Sequence, residues 1–310
     1  MRISMTGLLG AAVLGLAGAG CDAKGRAPEA AGALRVTATT TMVADLVRQV
    51  GGDRVTVSAL MGPGVDPHLY KATASDVAKL TQARAVFYNG LVLEGKMQEV
   101  MVKMARSHVH VYAVTESIPR EQLLEPAAFE GHYDPHVWFD VRLWKACVDT
   151  VEKGLAAADP AGRDHYAARA AQVRLEMDAL HQWALAKSQE LSPEQRVLVT
   201  SHDAYNYFGA AYGFKVVGLQ GISTVTEAGL ADFTKLVDFI KRHKVKAIFV
   251  ESSVPPDAIA RIAQDAGVKV GGELFSDAMG TPGQREGDYD LGTYEGMIKH
   301  NLTTLVEALK

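Results

Sequence analysis

The sequence predicts an α/β protein of two βα lobes with parallel-type sheets, separated by one long helix. Three observations predict it. From residue 34 to about residue 112, short β-rich runs alternate with stretches of helical spacing. The same alternation resumes after residue 193 and continues to the end. Between them, residues 161–190 contain no proline, and Tyr166, Ala170, Val173, Met177, Leu180 and Ala184 recur at spacings of 4, 3, 4, 3 and 4. Alternating β and α patterns imply parallel strands with helices packed outside. A stripe at 3–4 spacing is one buried helix face. At about 150 residues per domain, a chain of 310 residues suits two lobes.

The elements follow in order. Arg35 to Thr39 is β-rich, and Met42 to Val50 has helical spacing. Val55 to Leu60 is the next strand. Ser75-Asp76 is a capping signal for a helix to about Gln82. Ala85 to Tyr88 is a strand closed by Asn89-Gly90. Residues 94–106 read as helix and Val109 to Tyr112 as strand. Residues 141–156 are helical, and Asp159-Pro160 punctuates them. The long helix follows; thirty residues at about 1.5 Å each make a rod of about 45 Å. A coiled-coil dimer would need a longer seam with less alanine, so a helix lying across two lobes of one chain fits better. After Ser192-Pro193, strands at 197–200, 215–219, 246–250 and 268–270 alternate with helices at 204–212, 227–243, 256–267 and 294–309. Pro256 in a first turn and Gly267 beyond a last one are the usual helix punctuation. The boundaries expected are residues 34–157 for the first lobe, 158–192 for the linking helix and 193–310 for the second lobe.

The first twenty residues stand apart. Met1-Arg2 is cationic, and Leu8 to Ala19 is an uncharged apolar run. It is shorter than the about 20 residues a spanning helix needs, and it reads as a secretory signal peptide over residues 1–20. It ends in Gly18-Ala19-Gly20-Cys21, which resembles a bacterial lipoprotein processing site, with Cys21 as the acylated residue. The site's usual leucine, three places before the cysteine, is replaced by Gly18. Residues 21–33 are rich in Ala and Gly and suit a flexible tether. The mature chain is then expected outside the cytoplasm, in the periplasm or at the cell surface, held to the membrane through Cys21. Cys147 lies in a helical pattern and reads as core packing.

Composition excludes some classes. The balance of 32 basic and 36 acidic residues gives −4, so a broad nucleic-acid surface is not expected. Two cysteines exclude a disulfide scaffold and a four-cysteine zinc module. Ten histidines leave metal chemistry open.

Four residues beside turn-like sequence are candidate metal ligands. His68 stands in Asp66-Pro67-His68 after a strand, and His136 in Asp134-Pro135-His136. His202 stands where a strand ends, and Asp277 in Ser276-Asp277-Ala278-Met279-Gly280. In open α/β sheets ligands bind outside the carboxyl ends of strands, so all four can face a cleft between the lobes. Imidazole nitrogen with carboxylate oxygen suits a borderline divalent ion such as zinc. Candidates for orienting the imidazoles are Asp66, Asp134, Asp203 and Glu251; capping of turns is the alternative role for the three aspartates. His132, four residues before His136, is a candidate for assisting capture. Neutral imidazole must bind, so affinity is expected to fall below a pH of about 6.5.

Several segments together resemble the zinc- and manganese-type solute-binding lipoproteins of bacterial ABC importers, some of which are labelled adhesins. They are Asp66-Pro67-His68, Phe87-Tyr88-Asn89-Gly90-Leu91 with Leu93-Glu94, Tyr133 to Trp138, Ser201-His202-Asp203-Ala204-Tyr205, Gly218 to Thr224 with Glu227-Ala228-Gly229, Phe249-Val250-Glu251 and Ser276 to Gly280. The resemblance covers residues 34–310. It implies two α/β lobes joined by one rigid helix, with the metal between them on His68, His136, His202 and Asp277. It implies capture of Zn²⁺ or Mn²⁺ by a monomer and delivery to a membrane permease. Histidine at the third position resembles the zinc and mixed zinc/manganese members. The His-rich loop of many dedicated zinc members is missing, since Ser117 to Gly131 has no histidine. The rival class is a secreted zinc-dependent hydrolase. His-Glu-x-x-His and Gly-x-Ser-x-Gly are both absent from the sequence, and the reading is of a binding protein, not an enzyme.

Overall fold

A computed structural model describes residues 32–105, 110–129 and 131–310. The signal segment, Cys21, most of the tether and His108 lie outside the described residues. In the first lobe β1 (Leu34–Ala38), β2 (Val55–Ala59), β3 (Ala85–Tyr88) and β4 (His110–Ala113) form one parallel sheet in the order β2-β1-β3-β4. Helices α1 (Thr41–Gly51), α2 (Ala74–Gln82), α3 (Met97–Ala105) and α4 (Val141–Ala158) accompany it. Next comes α5 (Arg163–Ser188), 26 residues without a break. The second lobe holds β5 (Val197–His202), α6 (Asn206–Tyr212), β6 (Lys215–Gln220), α7 (Leu230–His243), β7 (Ala247–Glu251), α8 (Asp257–Ala266) and β8 (Lys269–Leu274). A short antiparallel hairpin, β9 (Arg285–Glu286) and β10 (Tyr289–Asp290), precedes α9 (Tyr294–Leu309). β5 pairs with β6 and β7 with β8, both in parallel, and β5 lies against β7. The second lobe thus follows the same strand order as the first, but as two parallel pairs side by side and not one four-stranded sheet; sequence similarity between the halves did not reveal this.

The stripe predicted on the long helix is its buried face: Tyr166, Ala170, Val173, Met177, Leu180 and Ala184 are all buried. It packs on α1 and α4 of the first lobe and on α6 and α9 of the second. At about 1.5 Å per residue its 26 residues span about 39 Å, shorter than the expected rod. Burial explains why it stays helical without a strong cap. One apolar cluster runs continuously from Val36 in β1 to Leu309 in α9 through this helix. The lobes are therefore not beads on a linker. Cys147 is a free thiol buried in that cluster, donating weakly to the Leu143 carbonyl at 3.6 Å. No helix among the described residues is long and apolar enough to cross a membrane.

Several element ends differ from expectation, each for a local reason. α2 begins at Ala74 because Thr73, not Ser75, is its cap: Thr73 Oγ1 accepts from the Asp76 amide, and the Asp76 carboxylate accepts from the Thr73 amide. α7 starts three residues late because Gly229 serves as its N-cap. α3 starts at Met97 because Leu91 and Val92 adopt left-handed backbone, with φ of 52° and 68°. That conformation is costly for non-glycine residues, most of all a β-branched one. It is held by the buried Glu94 carboxylate, which accepts from the amides of Asn89 (2.6 Å) and Gly90 (3.2 Å) and from the Thr39 hydroxyl (2.8 Å).

Candidate metal centre

The two Asp-Pro-His turns fold alike. In each, the aspartate Oδ1 accepts the histidine backbone amide: Asp66 from His68 at 2.8 Å and Asp134 from His136 at 3.0 Å. This is the local turn that a short carboxylate side chain makes with an amide two residues on. His202 is the last residue of β5, and Glu251 the last of β7. Glu251 Oε1 accepts the amides of Ser201 (2.7 Å) and His202 (2.9 Å), fixing the end of the neighbouring strand. Gly218 on β6 permits this crowding, since a Cβ there would lie 2.5 Å from the His202 carbonyl carbon. Asp277 follows β8 in a loop pinned from both lobes. Trp138 Nε1 donates to the Ser276 carbonyl at 3.0 Å, and the Met279 amide donates to Thr41 Oγ1 at 2.9 Å. Asn301 on α9 bonds both the amide and the carbonyl of Phe275.

These elements bring His68, His136, His202 and Asp277 together, with one donor atom from each lying within 4.8 Å of all the others. His68 Nε2 is 3.3 Å from His136 Nε2. Asp277 Oδ1 is 3.4 Å from His136 Nε2, and its Oδ2 is 3.3 Å from His202 Nε2 and 3.9 Å from His68 Nε2. A four-coordinate ion with bonds of about 2.0–2.1 Å separates its donors by about 3.3 Å, so the spacing suits one ion at the centre. Both oxygens of Asp277 and the Nε2 of His202 are buried without a hydrogen-bond partner. Buried polar atoms left unpaired are costly, and a cation among them would satisfy all three.

The electrostatics are those of a charged cluster sealed from water. Burial opposes charge on His136, but Asp134 and Asp277 outweigh it and hold its pKa up to about 9. His202 is likewise opposed by burial and driven well above the ordinary imidazole range by Glu251 and Asp277. Burial pushes His68 down to about 3, despite the pull of Asp277. Asp277, which burial would raise, is kept well below the usual carboxylate range by His202 and His136. In the metal-free state at neutral pH, His136 and His202 therefore hold protons that an incoming ion must displace.

The four orienting candidates divide. Asp134 Oδ1 meets His136 Nδ1 at 2.7 Å, and its Oδ2 accepts from Asn206 Nδ2 at 3.0 Å. Glu251 Oε2 is 2.6 Å from His202 Nδ1, close but out of line with the ring N–H. The Asp203 carboxylate accepts the Gly218 amide at 2.7 Å, a bond to the strand beside it and not to an imidazole. Asp66 takes the alternative, turn-capping role: it holds the backbone of His68, not its ring, and its second oxygen accepts the Thr224 hydroxyl at 2.6 Å. His132 is exposed and tilted against Phe129, 5.3 Å between ring centres. Trp138, Asn206, Tyr207 and Thr224 received no role from the sequence. Trp138 and Thr224 lie inside segments that carried the resemblance, but nothing in their local sequence says what they touch.

A family model described as zinc-uptake complex component A, periplasmic (ZnuA), matches residues 36–308. The chain belongs to this family. It is 43% identical over 304 residues to the manganese-binding lipoprotein MntA of Bacillus subtilis, covering 96% of each chain. It is 46% identical over 279 residues to the zinc-binding protein TroA of Treponema pallidum, covering 88% of each. The solved structure of that periplasmic zinc-binding TroA superposes with a TM-score of 0.84 at 44% identity, over 90% of this chain and 99% of that one. A Cd-bound periplasmic metal-binding protein of Candidatus Liberibacter asiaticus shares the fold, with a TM-score of 0.75 at 23% identity, over 89% of this chain and all of that one.

Proposed function

We propose that this chain captures a divalent transition metal, Zn²⁺ or Mn²⁺, outside the cytoplasm and hands it to the membrane permease of an ABC importer. The observation that carries the reading is the quartet of His68, His136, His202 and Asp277, whose donor atoms converge on one point, with His202 Nε2 and both Asp277 oxygens buried and unpaired. Four protein donors from two lobes leave little room for an activated water, which favours carriage over hydrolysis. The family membership and the names of MntA and TroA support the same reading. Three imidazoles favour zinc by softness. Both oxygens of Asp277 face the centre, so the carboxylate can add a fifth donor for a larger ion. Cys21 is the proposed lipid anchor, residues 21–33 the tether, and the mature chain a monomer at the periplasmic or outer surface. Residues 34–157, 158–192 and 193–310 are the proposed lobes and linking helix.

The test is metal analysis of protein purified without added metal, followed by zinc/manganese competition. Wild type is expected to carry about one ion per chain, and His202→Ala and Asp277→Ala to lose it. Unchanged metal content in both variants would sink the assignment.

A further inference from the structure

The two Asp-Pro-His turns are alike in sequence but are held differently from across the cleft. The second oxygen of Asp134 is bonded by Asn206, the first residue of α6, which is itself fixed to the Asp203 carbonyl at 3.1 Å. The second oxygen of Asp66 is bonded by Thr224, which stands in the segment 221–229 between β6 and α7. That segment has a glycine at each end. Gly221 accepts from the Asp203 amide, and Gly229 is tied only to the first turn of α7. Between them, among the described residues, the Thr224 hydroxyl makes the one hydrogen bond to the other lobe. Val225 beside it is 64% exposed.

This edge is also the open side of the metal centre. The side chains of His136, His202 and Asp277 are fully buried, whereas that of His68 retains 4% exposure. A cavity of about 360 Å³ lies alongside, bordered by Asp66, Leu69, Ser201, Thr224 and Glu227. One carboxylate thus joins the backbone of the most accessible ligand to a loop of the opposite lobe.

We infer that Thr224 is the latch of the metal site: its hydroxyl closes the 221–229 strap onto Asp66, holds His68 in its ligating position, and sets how fast the ion leaves. Thr224 is a positioning residue, since it acts through Asp66 and His68 and does not reach the ion. This inference rests on the quartet being a metal site. When the hydroxyl lets go, Asp66 still shapes its own turn but is free to swing, and His68 moves with it. The ion then loses its most exposed ligand first, while the three buried donors stay in place.

The experiment uses the mature chain loaded with Zn²⁺ and mixed with excess chelator in a stopped-flow instrument. Thr224→Val keeps the size and removes the hydroxyl, and release should be about tenfold faster, the worth of one hydrogen bond to a charged acceptor. Thr224→Ser should return the rate to near that of wild type. The visible spectrum of the Co²⁺-loaded valine variant should differ from wild type, because the ligand field changes only if a ligand moves. Thr224→Ala serves the same purpose if the valine variant does not fold. The latch is overturned if release from the variant is within about twofold of wild type, well short of one hydrogen bond. It is equally overturned if Thr224→Ser is as fast as Thr224→Val, or if the Co²⁺ spectra coincide. A wild type that takes up neither Zn²⁺ nor Co²⁺ would instead overturn the metal-binding reading beneath it.

Discussion

Lowering the pH from 8 to 6 should weaken metal binding by about four orders of magnitude, because two protons are displaced and each contributes about tenfold per pH unit. The magnitude comes from the charge pattern. His136, held up to about 9 beside Asp134 and Asp277, and His202, raised by Glu251 and Asp277, both carry protons in the metal-free state. His68, pushed down to about 3, carries none. The sign follows directly. Metal binds the unprotonated rings, so acid favours the free protein and alkali favours the complex, and the His136 share of the dependence fades above about 9. An ordinary imidazole would place this threshold near 6.5, which is what the sequence suggests; the buried carboxylates move it up. The assay is titration calorimetry in weakly coordinating buffers of differing ionisation enthalpy, which counts protons released per ion. Competition with a chromogenic chelator at each pH gives the affinity. A proton count near zero at pH 7, or an affinity flat between pH 6 and 8, would refute the reasoning.

Three further outcomes are expected. Glu251→Gln keeps the shape of the residue at the end of β7 but removes the charge beside His202, and should cost about 10–100-fold in metal affinity; an unchanged dissociation constant would remove Glu251 from the site's support. The metal-free protein should lose stability in alkali. Charged His136 stabilises the fold fully below about 6.5, and that contribution disappears as the pH rises through about 9; a melting temperature no lower at pH 9.5 than at pH 7, measured with chelator present, would contradict this. Metal-free and metal-bound forms should differ by small lobe shifts. Buried bonds cross between the lobes from Tyr294 Oη to the Trp138 carbonyl (2.6 Å), from Trp138 Nε1 to the Ser276 carbonyl (3.0 Å) and from Tyr207 Oη to the Asp134 carbonyl (3.0 Å). A rotation of tens of degrees between the two solved forms would show that this network does not restrain the lobes.

Local chemistry and periodicity account for the parts of this protein that are legible in its sequence. The apolar stripe from Tyr166 to Ala184 specifies the long helix, because burial of one face is written at 3–4 spacing. The β-rich runs specify strands, and the residues after them specify where ligands can stand. Asp66-Pro67-His68 and Asp134-Pro135-His136 specify two equal turns, because an aspartate reaches an amide two residues on. How those equal turns differ depends on what the folded chain packs against each of them. Asp134 also reaches the ring of its histidine and is held by Asn206 on a helix, whereas Asp66 is held by Thr224 on an exposed loop. Asp203, adjacent to a candidate ligand, turned out to serve a strand pairing, since side-chain direction at a strand end depends on which strand lies beside it. The proton load on His136 and His202 was equally hidden. It depends on carboxylates brought from distant segments into a space without water, and distance and burial exist only once the chain has folded.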